Sequence, residues 1–480
     1  MNSVPVRSDQ ARRDFAARRI DHWDRVATTS DRWSWSRGYH DRLAQIYASI
    51  IPADERVLEI GCGQGDLLAA VRPSRGVGVD FSPLMLRRAR ARHPDLSFVA
   101  GDAHELPVAS AFDYVILSDL VTDVWDAEQV LAQAARAMTS SGRIVFNFYS
   151  HLWGGALAAA QRANLSAPRL EQSWLTVPDV QNLLRLAGFE PVRHIDEILW
   201  PIRTPVVEPL CNRVFVKTWP FRLAALTHVF VARRAAARRP ALPRVSVVVP
   251  ARNEAGNIRD LVHRVPDMGA GTELIFVEGH SSDDTQSAIK AAIAENPQRD
   301  CRFYVQTGKG KGDAVRLGFA HASGDVLMIL DADMTVAPED LPKFLSVLQS
   351  GIGEFVNGVR LVYPMDDQAM RFANLIGNKA FSWLFTWLLG QPIRDTLCGT
   401  KALWRDDYER IARGRAYFGD FDPFGDFDLL FGAARLSRHI VEMPIRYRNR
   451  RYGTTNISRW RHGAILLRMS LVAARKLKWV

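Results

Sequence analysis

Two sets of short apolar runs, separated by stretches with a helical period, organise the chain. The first set is Arg56–Ile60, Gly76–Asp80, Ser97–Val99, Phe112–Leu117 and Arg143–Phe148, with a later candidate at Leu226–Val231. The second is Val245–Val249, Glu273–Glu278, Arg302–Gln306 and Val326–Leu330. Runs apolar at successive positions are buried on both faces, and helical crossovers between them imply parallel strands. The pattern predicts two α/β units in series. Between them lies VARRAAARRPALPR, residues 231–244, which reads as a linker after a terminal strand. We expect one domain over 1–235, a linker over 236–243 and a second domain over 244–480.

Composition narrows the class. With 480 residues, 47% apolar and 24% charged, the chain can build two sizeable cores, which excludes a disordered scaffold or a disulfide-stapled module. Cys62, Cys211, Cys301 and Cys398 form no CxxC pair and read as reduced thiols of a cytosolic protein. The N-terminus has no apolar core after its charges, so no secretory signal is expected. No run reaches the roughly 18 apolar residues of a membrane span. The net charge of +10 is uneven: from Arg435 to Val480, twelve Lys or Arg face one acid, Glu442. A near-neutral body with one basic end points to a local anionic partner, not to nucleic acid.

In the first unit, Glu59-Ile60-Gly61-Cys62-Gly63-Gln64-Gly65 runs from a strand into a glycine-rich turn, with a helix expected from Asp66. Glycines at Gly61, Gly63 and Gly65 let the backbone turn tightly and approach a ligand. Asp80, after the next strand, is placed to accept from a ribose diol. These residues, with Gly101-Asp102-Ala103 and FDYVILSDL, resemble class I S-adenosylmethionine-dependent methyltransferases over about 37–233. The resemblance implies a Rossmann-like fold in which Gly61, Gly63 and Gly65, preceded by Glu59, line the methionine part of the cofactor. Asp80 would hold the ribose, and Asp102 with Ala103 would flank the adenine. A Rossmann dehydrogenase is the structural alternative, against which stand the GxGxG spacing and the preceding acid. Asp119, Asp123, His151, Tyr39 and His40 are weaker candidates for the methyl-acceptor side.

The second unit carries the sharper chemistry. Pro250-Ala251-Arg252-Asn253-Glu254 puts an amide and a carboxylate at a strand end, ready for a nucleoside. Glu278 closes the next strand, and Asp283 opens a helix. Lys309 and Lys311, between glycines in GKGKGD, suit a diphosphate. Asp331-Ala332-Asp333 follows the run Val326–Leu330. Strand periodicity would point Asp331 and Asp333 the same way, a hard-oxygen pair for Mg²⁺ or Mn²⁺ shared with substrate phosphates. Together these motifs resemble the family 2 glycosyltransferases of GT-A fold, nearest the dolichyl-phosphate mannose synthase-like group, over about 244–460. The resemblance implies a nucleotide-sugar donor, with Pro250, Asn253, Glu254, Glu278 and Asp283 about the nucleoside and Asp331 and Asp333 about the ribose and metal. The family usually has two adjacent aspartates where this chain has Glu278-Gly279, which leaves UDP and GDP both open.

Further resemblance touches the acceptor. Asp395-Thr396-Leu397-Cys398-Gly399-Thr400-Lys401 looks like an acceptor-side segment, with Lys401 in it. Arg360 and Arg371 match positions that hold a lipid phosphate, and Arg446, Arg448, Arg450 and Arg451 match a loop closing over phosphates. Asp428 would be the base for a hydroxyl acceptor; a polyprenyl phosphate, already largely a dianion at neutral pH, needs none. Trp460–Val480 is expected to be an amphipathic interfacial helix, and Ala380–Leu389 to line a hydrophobic acceptor channel. The reading is a bifunctional transferase: metal-dependent inverting sugar transfer to polyprenyl phosphate, plus methylation of a sugar, glycan or related small molecule. It would sit in the cytoplasm, peripherally on the inner face of the cell membrane. The alternative is a glycosyltransferase for a glycan hydroxyl with Asp428 as base.

Overall fold

Alternation along buried strands divides each unit into two apolar layers around one sheet. The computed structural model describes residues 4–29, 34–108, 111–162, 170–235, 242–360, 362–363, 372–418, 425–448, 450, 452 and 459–479. They fall into two compact units, Met1–Ala235 with Lys478–Val480, and Ala236–Leu477.

The first unit contains β1 (Arg56–Ile60), β2 (Arg75–Asp80), β3 (Ser97–Ala100), β4 (Phe112–Leu117), β5 (Met138–Tyr149), β6 (Phe189–Glu197) and β7 (Thr227–Arg234). They form one sheet in the order β3-β2-β1-β4-β5-β7-β6. The strands are parallel through β5, and β7 runs antiparallel to both β5 and β6. Leu58, Ile60, Val115, Leu117, Ile144 and Phe146 pack on one face, and Val57, Tyr114, Ile116 and Val145 on the other. Each such side chain, taken fully out of water, contributes ~1.5–3 kcal/mol.

The second unit contains β8 (Val245–Ala251), β9 (Thr272–Glu278), β10 (Asp300–Val305), β11 (Val326–Ile329), β12 (Phe355–Val359), β13 (Lys401–Trp404) and β14 (Ile440–Pro444). The order is β10-β9-β8-β11-β13-β12-β14. Here β13 is antiparallel to β11 and β12, whereas β12 and β14 are parallel. Val248, Ile275, Leu327 and Ile329 face one layer, and Val247, Val249, Phe276 and Met328 the other.

Three expectations change. First, β6, β12, β13 and β14 were absent from the apolar pattern. Their sequences interrupt it: Pro191, Arg193, His194 and Asp196 in β6, Asn357 in β12, Lys401 in β13 and Glu442 in β14. Second, β11 stops pairing at Ile329, and Asp331–Asp333 lie in a turn beyond it. Met334 N–H closes that turn on the Asp331 carbonyl at 3.3 Å. The two aspartates therefore do not share a strand face; the turn, not strand periodicity, sets their directions. Third, Ala380–Leu389 belongs to the helix Phe372–Leu389, whose Phe385, Leu388 and Leu389 are core residues, not a channel lining.

The C-terminal helix Arg459–Leu477 buries Leu466, Met469, Ala473 and Ala474 in that same core. Its opposite side leaves Leu467 and Leu471 exposed, as Trp383 is on the helix Phe372–Leu389. Among the described residues, no helix is long and apolar enough to cross a membrane.

Candidate active sites

In the first unit the chain turns as soon as β1 ends. Gly61, Gly63 and Gly65 take φ values of +74°, +50° and +77°, a region costly for other residues. Asp80, at the end of β2, accepts from Gly63 N–H and Ser82 N–H, each at 2.8 Å, and so clips the loop. A Cβ built on Gly63 would meet nothing within 4 Å. The space it faces is a cavity of about 910 Å³ walled by Glu59, Gly61, Gly63, Asp80, Asp119 and Tyr149, among others. Glu59 is buried with Oε2 unpartnered, and burial pushes its pKa well above the usual carboxylate range. An orphaned carboxylate oxygen beside an open glycine loop fits a ligand bearing a donor such as an ammonium group.

Asp102 and Ala103 are not among the residues lining that cavity. Asp102 instead accepts from the His104 ring at 2.6 Å and its N–H at 2.9 Å, and the His104 hydrogen bond pulls it down to about 2. Behind Asp119, which lines the cavity, Tyr39 O–H donates to its carboxylate at 2.9 Å, and Asn147 donates to both groups. Tyr39 also stacks on Tyr149 with centroids 5.5 Å apart. His40 lines the cavity, Asp123 is taken up by Arg19 and Trp23, and His151 lies on Trp174.

The helix Val4–Thr29 supplies His22, Trp23 and Val26 to the cavity wall, a contribution not read from the sequence. Its inward stripe, Phe15, Arg19, His22, Trp23 and Val26, has helical spacing but is broken by Arg19 and His22, which hides it from a hydrophobicity count.

In the second unit the strand-end loops converge. After β8, Asn253 has φ +57° and uses its Oδ1 to accept from Ser282 N–H at 2.8 Å, bracing the β8 loop against the β9 loop. Glu278 accepts from Ser281 N–H at 2.5 Å, and Asp283 from Thr285 N–H at 3.0 Å and Ala255 N–H at 3.3 Å. The Tyr452 hydroxyl reaches Asp283 at 3.3 Å. Pro250 is the penultimate residue of β8, Lys309 is exposed, and Lys311 opens the helix Lys311–His321.

Asp331 pairs with Lys311 at 2.6 Å. Burial alone would raise Asp331, but Lys311, helped by Lys401 and Arg360, holds it below the ordinary carboxylate range. Lys401 is fully buried and donates to the Cys398 carbonyl. Asp333 caps Thr335 N–H at 3.1 Å and receives Arg450 at 2.9 Å. Arg450 also reaches Glu254 at 3.3 Å, and Asn257 donates to Glu254 at 2.7 Å. Thus Asp331 is matched by Lys311, while Asp333 shares Arg450 with Glu254, and the two aspartates of this turn are hard carboxylates of the kind a divalent cation takes.

Other predicted residues lie elsewhere. Arg360 makes a two-pronged pair with the fully buried Asp395, at 2.7 and 2.8 Å, which commits its guanidinium to the fold. Asp428 is held by Arg415 at 2.6 Å. The arginines after β14 go to two places. Arg450 turns to Asp333 and Glu254, whereas Arg446 and Arg448 line a separate cavity of about 310 Å³ with Arg264, Lys343, Glu339 and Tyr363. Arg371 and Arg451 lie outside the described residues.

Residues 57–142 match the family model described as a methyltransferase domain, and residues 246–411 that described as glycosyl transferase family 2. Glycosyltransferase AglJ of Haloferax volcanii is 29% identical over 224 residues, 46% of this chain and 69% of the relative. An undecaprenyl-phosphate 4-deoxy-4-formamido-L-arabinose transferase of Shewanella sediminis is 30% identical over 139 residues, 28% of this chain and 41% of the relative. The chain thus spans less than half the length of that second relative. A solved S-adenosylmethionine-dependent methyltransferase from Thermotoga maritima covers 44% of this chain and 98% of its own, at 20% identity and a TM-score of 0.37.

Glu254 yields a test of the electrostatics here. Burial raises it to about 7 against an ordinary 4.5, with Asp333 adding to the rise and Arg450 opposing it. The folded protein therefore holds this proton more tightly than the unfolded chain does. That contribution is complete below about pH 4.5 and is lost as pH climbs through about 7. In EDTA, Glu254→Gln is expected to raise the melting temperature by roughly a few degrees at pH 8 and to leave it nearly unchanged at pH 5. Equal shifts at both pH values would show that Glu254 titrates normally.

Proposed function

We propose that this chain, which joins a methyltransferase domain to a family 2 glycosyltransferase domain, transfers a sugar from a nucleotide sugar to a polyprenyl phosphate. Its methyltransferase domain would methylate that sugar, the lipid-linked product or a related glycan from S-adenosylmethionine. One observation carries the glycosyl half: Asp331 and Asp333 stand together beyond β11, each matched by a cation from a different segment, Lys311 and Arg450. Carboxylates that recruit positive charge in this way suit Mg²⁺ or Mn²⁺ bound with a diphosphate, and Asp331 and Asp333 would hold the ion. When bound, it supplies positive charge toward the departing diphosphate. Lys309 and Lys311 would meet the same phosphates, and Pro250, Asn253, Glu254, Glu278 and Asp283 a uridine or guanosine nucleoside.

The acceptor reading rests on charge. A phosphate oxygen would attack the anomeric carbon, the nucleoside diphosphate would leave, and the anomeric configuration would invert. Such a nucleophile needs no proton removed, in keeping with Asp428 being engaged by Arg415. The Shewanella relative's name specifies undecaprenyl phosphate. Exposed Trp383, Leu467 and Leu471, with exposed Arg468 and Arg475, support peripheral contact with the inner face of the membrane. In the first unit, Gly61, Gly63, Gly65, Glu59 and Asp80 would hold S-adenosylmethionine, and Asp119 with Tyr39 would face the methyl acceptor. Asp102 and Ala103 would stay on the adenine side and Arg371 toward lipid phosphate, whereas Arg360, paired with Asp395, would brace the fold and Lys401 would support Asp331.

With Mg²⁺ or Mn²⁺ and a panel of UDP- and GDP-sugars, label should pass to polyprenyl phosphate and not to a soluble glycan. Asp333→Asn should lose about 100-fold or more, while Asp428→Asn stays within about tenfold of the parent. Transfer to a glycan hydroxyl that collapses in Asp428→Asn would establish the alternative. The backbone of Gly399 lies so close to the Lys311–Asp331 pair that a Cβ there would collide with both partners. Gly399→Ala is therefore expected to lower the transfer rate by about 100-fold with an unchanged circular dichroism spectrum. For the other domain, calorimetry should find S-adenosylmethionine binding weakened by at least about tenfold in Asp80→Ala, with sugar transfer intact. Unchanged cofactor affinity would remove Asp80 from the cofactor site.

A further inference from the structure

On the methyltransferase unit, away from the glycine loop, three side chains converge on the β6–β7 ladder. Asp196 and His228 are directly opposite in the antiparallel register, and His194 lies two residues from Asp196 on the same face. His194 Nε2 is 3.3 Å from His228 Nδ1 and 3.3 Å from Asp196 Oδ1, while His228 Nδ1 is 2.9 Å from the same Oδ1. The rings are held from behind: His194 stacks on Phe230 with centroids 4.6 Å apart, and His228 tilts over Phe148 at 5.3 Å.

Proton counting shows what is unusual about this triangle. A carboxylate oxygen only accepts, so each nitrogen is attracted to it only when that nitrogen carries a hydrogen. The two nitrogens attract each other only when one carries a hydrogen and the other does not. All three contacts cannot be favourable together, whatever the tautomers or charges of the rings. A cation at the centre removes the conflict, because two bare nitrogens and one carboxylate oxygen then all point at positive charge. The spacing also matches. Bonds of ~2.0–2.1 Å put neighbouring ligands ~3.0 Å apart in an octahedron and ~3.3 Å apart in a tetrahedron.

We propose that His194, Asp196 and His228 form a binding site for a late first-row divalent cation of the Zn²⁺ class, with its remaining coordination positions filled by water. Two imidazoles and one carboxylate favour such ions over Mg²⁺ or Ca²⁺, which take oxygen ligands. The three side chains are 18–29% exposed, so an ion can enter from solvent without the sheet opening. Burial lowers the His194 pKa, which favours the neutral ring a metal requires. Arg222 lies within electrostatic reach of His194 and Asp196 and opposes a cation, so the site is weaker than a buried structural zinc centre. Because β6 is the edge strand, an ion bridging it to β7 would pin the end of the sheet.

The test uses full-length protein stripped with EDTA and titrated with Co²⁺, followed by visible absorption and competition with Zn²⁺. With excess Mg²⁺ present to occupy the Asp331–Asp333 site, one equivalent should bind with a saturable ligand-field band that Zn²⁺ abolishes. Separate His194→Gln, His228→Gln and Asp196→Asn changes should each weaken it about tenfold or more, while Asp333→Asn leaves it intact. Zn²⁺ should also raise the melting temperature of the parent, but not of His194→Gln. S-adenosylmethionine binding checks that each variant is folded. A band that survives the histidine changes, or one that disappears in Asp333→Asn, would overturn the site, as would no saturable binding in the parent.

Discussion

Parallel strands deliver the chain's chemically active residues to one edge of each sheet, and that edge concentrates charge. In the second unit Glu254, Asp331 and Asp333 follow β8 and β11, all near the carboxyl ends of buried strands. Two unit charges about 4 Å apart interact by roughly 4 kcal/mol at an effective dielectric near 20. That is comparable with much of a domain's net stability, which is about 5–15 kcal/mol. The carboxylates can gather only because cations are brought to them: Lys311 to Asp331, and Arg450 to Asp333 and Glu254. The order of the last segments follows from this need. The chain must return along β14, beside β12, for Arg450 to reach these carboxylates.

That return does more than neutralise. Tyr447 forms an isolated bridge with Val336, and Arg448 N–H donates to the Thr335 carbonyl at 2.9 Å, so the segment is extended where it passes the turn after Asp333. An extended chain alternates its side chains. Arg446 and Arg448 consequently face the basic cavity with Arg264 and Lys343, while Tyr447 lies beneath the Arg360 guanidinium, 5.1 Å from its ring centre. One short basic stretch thus contributes to two places, the cavity with Arg264 and Lys343 and the carboxylates Asp333 and Glu254. A net charge of +11 over the C-terminal residues does not distinguish them.

Much of this was legible in the sequence, for physical reasons. Glycines that must adopt positive φ, and carboxylates at the ends of apolar runs, are local requirements that leave local marks. Gly61, Gly63, Asp80 and Asp331 were found that way. What escaped depends on partners distant in sequence. Asn357 looks like a solvent-facing residue, yet it is fully buried and donates to the Asp395 carbonyl at 2.8 Å. Arg360 reads as a phosphate ligand until Asp395, 35 residues on, claims it. The aspartate pair stands out in the sequence, but its backbone does not, because an apolar run does not show that ladder pairing stops at Ile329.

The two sheet edges have opposite electrostatic starting points. At the first, Glu59 is buried with an unpartnered oxygen, and Gly63 opens onto a cavity. A ligand donating a hydrogen bond there satisfies a group otherwise left wanting, so binding adds a partner without removing one. At the second, Asp331 and Asp333 already have partners. A metal ion held there would compete with Lys311 and Arg450, which would then be free cations for a diphosphate. Binding of the two would consequently be coupled: either alone would leave one sign of charge less well matched, and both together would rematch it. The close passage of the Gly399 backbone limits how far Lys311 can move in that exchange. On the proposed function, the pairing of Asp331 and Asp333 in the free protein would itself make metal and diphosphate binding mutually dependent.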